Sequence, residues 1–265
     1  MAPTRRTPQQ QRGPDRMQGH WLLASLGKRV LRPGGAALSQ WLVARAEPSG
    51  QDVVELAPGL GRTASAILAT APRSYVGVDS DPVAVARAGE VVGDAGTVVE
   101  ADASATGLGT ASADVVLGEA MLTMQGDKGK EAIVAEAARL LRPGGRYAIH
   151  ELALTPDDVD EAVTTEVRTS LATAIKVNAR PLTQAEWSQL LGRQGFEVRA
   201  VRTAPMALLE PSRVVADEGV LGTLRILGNL VRRPEARRRV LRMRATFREH
   251  QDSLAGIAIV ARVPS

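Results

Sequence analysis

The chain has 265 residues, of which 44% are hydrophobic and 23% charged, with a formal net charge of +4 and no cysteine. Its length suits one large α/β domain, and the composition is ordinary for a globular protein. Without cysteine there are no disulfides, thiolate zinc sites or cysteine nucleophiles, and the three histidines are too scattered along the chain to predict a metal site.

The excess of positive charge raises the question of a polyanionic partner. Aromatic residues make up only 3% of the chain, so a base-stacking platform for nucleic acid is difficult to build. No apolar run approaches the roughly 20 residues of a membrane-spanning helix. Residues 1–16 also lack the apolar core of a secretory signal. We therefore expect a cytoplasmic protein that does not act on nucleic acid.

The first fifty residues predict a tail and two helices. Residues 1–16 are rich in Pro, Gln and Arg, which predicts a disordered tail. Apolar residues at helical spacing predict one helix over 17–30 and another over 36–46, which ends before Pro48. Because both helices precede the first predicted strand, we expect residues 17–50 to form a helical cap across the open edge of the domain.

From residue 51 to residue 265, short apolar runs alternate with helical patterns, which predicts a parallel sheet covered by helices on both faces. A last strand so close to the chain terminus usually runs antiparallel to its neighbours. Two helical insertions are predicted, near residues 156–182 and 212–250. The predicted strands are 53–56, 75–78, 97–100, 114–117, 146–152, 196–201 and 254–263.

The first predicted strand leads into a glycine turn and then into a helical pattern. The turn contains Gly59 and Gly61, where bare backbone N–H groups can lie beside a ligand that a Cβ would hold away. Together with Ala64 these glycines also satisfy the relaxed dinucleotide fingerprint. A nicotinamide or flavin oxidoreductase is therefore one possible function of this motif.

Three acidic residues near the ends of successive strands add to the glycine turn. Glu55 stands just before the turn, where a carboxylate can hold the amino group of an amino-acid-like ligand through water or the loop backbone. Asp79 follows the second strand, placed to accept two ribose hydroxyls, and Asp102 follows the third, placed to read the exocyclic amine of adenine. Since parallel strands end at one edge of the sheet, these residues predict a single crevice.

These segments resemble the motifs of the class I S-adenosylmethionine-dependent methyltransferases, in particular their small-molecule branch. Ala57 stands where the first motif of that family normally has a glycine, which is a mild departure. The resemblance covers about residues 50–200 and the final strand. The five matching segments, in chain order, are residues 55–61, 77–79, 100–103, 113–119 and 140–146.

The resemblance implies a Rossmann-like, seven-stranded and mostly parallel sheet, with an antiparallel last strand, a helical cap and helical insertions. It implies S-adenosylmethionine as cofactor and in-line methyl transfer to an O, N or C nucleophile of a small-molecule acceptor. Two alternatives stay open, a nicotinamide-dependent oxidoreductase and a methyltransferase-like module that binds the cofactor without turnover. The implied cofactor-binding residues are Glu55, Ala57, Pro58, Gly59, Gly61, Asp79, Ser80, Asp102, Ala103, Glu119 and Ala120.

His150 and Glu119 are the candidate catalytic residues. His150 lies near the end of the fifth strand on the crevice side, and imidazole suits proton transfer near neutrality, although a packed histidine fits the same pattern. Glu119 ends the fourth strand. One interpretation is that it positions the acceptor or the amino group of the cofactor, and the other is that it is a solvated carboxylate. Glu151 alternates away from His150 and is interpreted as a structural acid. His20 and Trp21 either close over the methionine moiety or pack on the sheet edge.

Between residues 225 and 249, nine arginines outnumber two glutamates. Val240, Met243 and Phe247 mark a core-facing stripe, so the arginines most simply form a solvated outer face. A basic surface for an anionic membrane or an acidic acceptor is the alternative interpretation, which leaves peripheral membrane contact open. Neither the acceptor nor the oligomeric state can be predicted from the sequence.

Overall fold

The fold is that of a computed structural model, which describes residues 17–28 and 32–265. The predicted tail, residues 1–16, lies outside the described residues. The same is true of the end of the first predicted helix, which includes Val30.

One sheet forms the centre of the molecule, in the strand order β3-β2-β1-β4-β5-β8-β7, with β6 paired to β5. β8 is antiparallel to both β5 and β7, and the other pairs are parallel. The predicted parallel sheet with an antiparallel last strand is thus confirmed, and the two-residue β6 is an addition. The strands are β1 (Asp52–Leu56), β2 (Ser74–Asp79), β3 (Thr97–Glu100), β4 (Ala113–Glu119), β5 (Leu141–Leu154), β6 (Leu182–Thr183), β7 (Glu197–Pro205) and β8 (Leu254–Arg262).

Nine α-helices surround this sheet within the described ranges. Two of them begin at their sequence signals, since Asp81 accepts the Val83 N–H and Thr183 forms a capping box with Glu186. In the part of the chain that the structure describes, none is long and apolar enough to cross a membrane. The helices are α1 (Gly19–Ser25), α2 (Ala36–Ala46), α3 (Arg62–Leu68), α4 (Pro82–Val92), α5 (Asp127–Leu140), α6 (Glu161–Ile175), α7 (Gln184–Arg193), α8 (Pro211–Arg232) and α9 (Pro234–Glu249).

The predicted cap divides into two parts with different positions. α1 packs with the helical insertions, and its Trp21 shares a hydrophobic cluster with Phe247 of α9. α2 instead covers one face of the sheet, where Leu42 shares a cluster with Ala148 of β5. The prediction that residues 17–50 form a cap is therefore wrong for α2, whose apolar side is buried on the sheet face.

The two insertions also differ in detail from their predictions. In the first, the helix begins at Glu161, and residues 156–160 are not helical. The second consists of α8 and α9, joined at Arg233. Gly219, with φ 72° and ψ 172°, interrupts α8, so that the segment from Val220 onwards is a helical piece of its own. Glycine tolerates this left-handed φ without steric cost.

Candidate functional site

The larger cavity, of about 480 Å³, opens at the carboxyl ends of β1, β2 and β4. The turn at residues 57–59 lines one side, Asp79 and Ser80 line the β2 side, and Glu119 and Ala120 line the β4 side. Seven of the eleven predicted cofactor residues therefore lie together in its wall. The volume falls in the range of ordinary small-molecule sites, roughly 300–1,000 Å³.

The turn after β1 has a left-handed backbone at Ala57, Gly59 and Gly61. The Gly59 N–H donates to the Asp79 carboxylate at 3.1 Å, which ties the turn to the end of β2. Gly61 is not among the described wall residues of the cavity, and its predicted contact with the cofactor stays a prediction. A Cβ on Gly61 would lie 3.0 Å from the Val91 side chain, so this glycine allows close packing against α4.

Replacing Ala57 with glycine should stabilise the protein. Ala57 has φ 55°, and a left-handed backbone costs a non-glycine residue about 1–2 kcal/mol. The greater freedom of glycine in the unfolded chain offsets part of this, so we expect the free energy of unfolding to rise by about 0.5–1 kcal/mol in chemical denaturation. The control Ala44→Gly, in the exposed side of helix α2, should lower it by a similar amount. Equal destabilisation by both changes would contradict the expectation.

Asp79 is the acidic side chain that the glycine turn brings into the cavity. It is only 9% exposed, and its second oxygen accepts the Asp81 N–H at 3.0 Å. Burial raises the pKa of this carboxyl, while backbone N–H groups of Asp81, Gly59 and Ser80 oppose the rise. These three donors hold the side chain in place at the cavity wall.

Glu55 lies behind the turn and is not among the described residues of the wall. Its side chain is buried, and the Tyr75 hydroxyl donates to it at 2.6 Å. Burial raises the pKa of Glu55 to about 8, against the opposing effects of the Tyr75 hydrogen bond and the Arg32 charge. Glu55 is therefore mostly protonated at neutral pH and supports the turn from behind. A contact with a ligand would have to run through water or the loop backbone, as the sequence suggested.

Asp102 and Ala103 lie near the same edge of the sheet but outside the described wall. Asp102 is exposed and accepts hydrogen bonds from the Ser104 N–H at 2.8 Å and the Ser104 hydroxyl at 2.6 Å. These bonds lower the pKa of its carboxyl. The structure does not bring Asp102 to the cavity wall, and its adenine-reading role stays a prediction.

Glu119 is the centre of a buried polar cluster in the cavity floor. Its carboxylate pairs with the Arg32 guanidinium and accepts hydrogen bonds from Thr63 Oγ1 at 3.0 Å and Ser39 Oγ at 3.1 Å. Burial opposes ionisation, but the charge of Arg32 and contacts with His150 and Thr63 hold the pKa of Glu119 at about 2. Glu119 is therefore a buried carboxylate, and its interpretation as a solvated strand end is wrong.

His150 is fully buried beside this cluster and is not among the described residues of the cavity wall. Its Nε2 contacts the Pro33 carbonyl, and its Nδ1 lies 3.3 Å from Ser39 Oγ. Both ring nitrogens thus have protein partners. The structure favours the packed histidine over the predicted general base, because the loop at Pro33 covers the ring.

A second cavity, the apolar cavity, adjoins the larger one and measures about 60 Å³. The two share His20, Ala120, Met124 and Val177. The walls of the apolar cavity come mainly from α1, α6, α9 and the segment after β7, which are the cap and insertion elements. Its other apolar side chains include Leu23, Ile175, Met206, Leu208, Met243 and Phe247.

His20 lies where the two cavities meet. Its ring centroid is 5.4 Å from that of Trp21, so the two side chains form one corner of the site. Burial lowers the pKa of His20 to about 4, against the opposing charge of Asp81. The imidazole is therefore neutral at physiological pH, with one nitrogen able to accept a hydrogen bond.

Glu151 orders the turn between the two cavities. Its buried carboxylate accepts the N–H groups of Met121, Leu122 and Thr123 at 2.9, 2.8 and 3.0 Å, and the Thr123 hydroxyl at 2.6 Å. This geometry agrees with its interpretation as a structural acid. The turn carries Met121 and Met124, which both line the larger cavity.

The larger cavity also has wall residues that sequence reasoning missed, namely Arg32, Arg62, Gln125 and Val177. Arg32 precedes a Pro-Gly-Gly sequence, which indicates only a helix end. Val177 lies within the first predicted insertion, just after α6, where no motif marks a binding residue. The sequence gives no clear signal for Arg32, because this residue precedes the first strand and comes near the glycine turn only in the folded chain.

Comparison with known families matches residues 54–149 to a methyltransferase domain. A Haemophilus influenzae relative, described as an uncharacterized protein, is 33% identical over 250 residues, covering 92% of this chain and 97% of that protein. Phosphoethanolamine N-methyltransferase 2 of Haemonchus contortus, solved with phosphomonomethylethanolamine and S-adenosylhomocysteine, has a similar fold (TM-score 0.69, 18% identity, 93% of this chain, 58% of that one). A candidate sarcosine dimethylglycine methyltransferase of Galdieria sulphuraria is also similar (TM-score 0.67, 17% identity, 86% of each chain).

Proposed function

Because the chain belongs to the class I S-adenosylmethionine-dependent methyltransferases, we propose that it methylates a small-molecule acceptor that carries an apolar group. S-adenosylmethionine is the cofactor, and the acceptor offers an O, N or C nucleophile. The observation that carries the proposal is the apolar cavity, which joins the larger cavity at His20 and Ala120. At about 60 Å³, this cavity has room for a small apolar group, which would orient the nucleophile of the acceptor toward a cofactor in the larger cavity.

The larger cavity fits S-adenosylmethionine in its chemistry as well as its volume. The Asp79 carboxylate lies at the end of β2, where the ribose of a nucleotide is held in sheets of this type. Glu119 Oε1 is buried, lies 3.7 Å from His150 Nδ1 and has no hydrogen-bond partner among the described residues, so this oxygen can accept a hydrogen bond from a cationic amino group. When bound, the cofactor supplies a reactive methyl group on a sulfonium.

The chain itself contributes alignment and exclusion of water, which a displacement of this kind requires most. α1, α6 and α9 enclose the apolar cavity and keep the acceptor in place. His20 is the proposed positioning group, since its neutral imidazole can accept a hydrogen bond from an acceptor O–H or N–H. His150 has no such role, because its ring is covered.

A nicotinamide oxidoreductase is not supported by the sheet. The dinucleotide-binding fold has a mostly parallel sheet with the strand order 3-2-1-4-5-6, in which the strands after the fourth follow one another in chain order. Here the antiparallel β8 lies between β5 and β7. The relaxed glycine fingerprint alone therefore does not identify the cofactor.

Calorimetric titration with S-adenosylhomocysteine and, separately, with NADH tests the cofactor. Micromolar binding of the first and none of the second supports the proposal, and binding of NADH alone contradicts it. Labelled methyl donor, incubated with the protein and fractionated cell extract, then tests the acceptor. Label in a small apolar product is the expected result. Cofactor binding with no labelled product would favour the module without turnover.

Replacing His20 with glutamine should lower kcat by about 100-fold, which is at the low end of the rate losses expected when a proton-accepting group is removed. Affinity for S-adenosylhomocysteine should change little. Because burial lowers the pKa of His20 to about 4, the wild-type rate should persist below pH 6 and fall only as the imidazole is protonated near pH 4. Rate measurements across pH check this. Wild-type kcat, or an acid limb unchanged in the variant, would exclude a role for His20.

A further inference from the structure

The second half of α8, residues 220–232, exposes an apolar face. At 3.6 residues per turn, its five exposed valines and leucines fall within an arc of about 120°. We call this arc the α8 face. Its members and their exposed fractions are Val220 66%, Leu221 81%, Leu224 58%, Leu227 52% and Val231 73%.

The opposite side of the same helix holds it to the protein. Ile226 is buried there, and Asn229 Nδ2 donates to the Leu26 carbonyl at 3.0 Å. Arg233, at the end of the helix, donates to the Ser25 carbonyl at 3.2 Å. Since surface helices normally turn their apolar side inward, a helix that is anchored on one side and apolar on the other indicates a binding surface.

Arginines border the α8 face. Arg225 and Arg232 fall just beyond one edge of the arc on the same helix, and both are exposed. Arg237 and Arg238, in the first turns of α9, are exposed as well. Residues 220–232 contain no acidic side chain, so the α8 face and its border on the same helix are apolar or cationic, whereas in α9 the exposed Glu235 accompanies the two arginines.

We propose that the α8 face and its bordering arginines dock on the surface of an anionic lipid bilayer. Valine and leucine side chains can enter the boundary between headgroups and acyl chains, while guanidinium groups pair with lipid phosphates. A second copy of the chain is a poorer partner, because symmetric pairing of two such faces would bring their arginines together. The surface does not depend on the proposed function.

The position of the surface connects it to the apolar cavity. α9 lines that cavity with Met243 and Phe247 on its inner side, and it exposes Arg237 and Arg238 on its outer side. A bilayer on the outer side would therefore lie against α9, which forms part of the wall of the apolar cavity. This arrangement suits an acceptor that partitions into lipid.

Sedimentation of the full chain with lipid vesicles tests the proposal. We expect association with vesicles of equal parts phosphatidylglycerol and phosphatidylcholine at low ionic strength, at least about tenfold weaker association with pure phosphatidylcholine, and loss at high salt. The absence of association with the anionic vesicles at low ionic strength would overturn the proposal.

Matched variants test whether the α8 face is the docking surface. The double change Leu221→Glu and Leu224→Glu should weaken association by at least about tenfold. The control, Ala44→Glu and Ala86→Glu, makes the same change in charge at exposed positions of α2 and α4, and should have less than about a twofold effect. An equal loss in both would overturn the assignment of the α8 face.

A second pair of changes covers the case in which the glutamates disturb folding. Arg237→Gln and Arg238→Gln remove two exposed cations at little risk to the core, and should weaken association by about tenfold or more. Unchanged binding by this variant would overturn the role of the arginine border. If the leucine changes abolish a dimer in size-exclusion chromatography and the wild type ignores vesicles, the face joins two copies instead.

Discussion

Replacing Asp79 with asparagine should weaken the binding of S-adenosylhomocysteine by about 100-fold, since hydrogen bonds to a charged group contribute about 1.5–3 kcal/mol each. The carboxylate lies in the wall of the larger cavity and can accept both ribose hydroxyls. The amide has a single acceptor oxygen and would turn an N–H₂ group toward one of these hydroxyls. Calorimetric titration of both proteins measures the difference.

Two controls separate this effect from a loss of structure. Asp94→Asn makes the same chemical change at an exposed position and should leave the affinity within about twofold. Asp79 also accepts the Gly59 N–H, so thermal unfolding of the variant must show that the turn after β1 is still folded. An Asp79→Asn protein that is folded and binds with wild-type affinity would place the ribose elsewhere.

The cofactor side of the crevice could be predicted because its signals are local. The glycine turn follows β1 directly, and Asp79 and Glu119 each end a strand that pairs with β1. In a parallel sheet, neighbouring strands end at one edge, so short motifs that are distant in sequence meet without any long-range argument. For Gly61, the turn pattern does not distinguish a contact with the ligand from close packing against α4.

His150 shows where such local reasoning fails. Alternation along β5 predicts which face of the sheet the imidazole lies on, but not whether another segment covers that face. The covering atoms are the Pro33 carbonyl, 117 residues earlier in the chain, and Ser39 Oγ. No periodicity within β5 carries information about them.

The apolar cavity and the α8 face could not be predicted from the sequence for a related reason. Leu23, Ile175 and Met243 are ordinary apolar helix residues in the sequence, and only the packing of α1, α6 and α9 leaves space between them. In α8, Ile226 is buried while Leu224 is exposed, although both are ordinary apolar residues of a predicted helical segment. When a helix has apolar residues on two sides, its packing against neighbouring helices decides which side is buried.

Replacing Glu151 with glutamine should lower the free energy of unfolding by about 3 kcal/mol, because the change affects a buried side chain with four hydrogen-bond donors. Glutamine keeps one acceptor oxygen, but its N–H₂ group would face the Thr123 N–H and leave it unpaired. Urea denaturation measures the loss. Since Glu151 and Thr123 line the apolar cavity and are not among the described wall residues of the larger one, KM for the acceptor should rise more than the dissociation constant of S-adenosylhomocysteine.

The matched control for this change is Glu131→Gln, on the exposed side of α5. Glu131 is 48% exposed and pairs with Arg193 at 3.4 Å, so its loss should cost less than about 0.5 kcal/mol. Burial raises the pKa of Glu151, whereas the donors of Thr123, Leu122 and Met121 oppose the rise. Three of the four groups are backbone N–H donors, which cannot accept a proton from this carboxyl, and this argues for the ionised form. Equal stability of the two variants would show instead that burial prevails and that Glu151 is neutral in the folded protein.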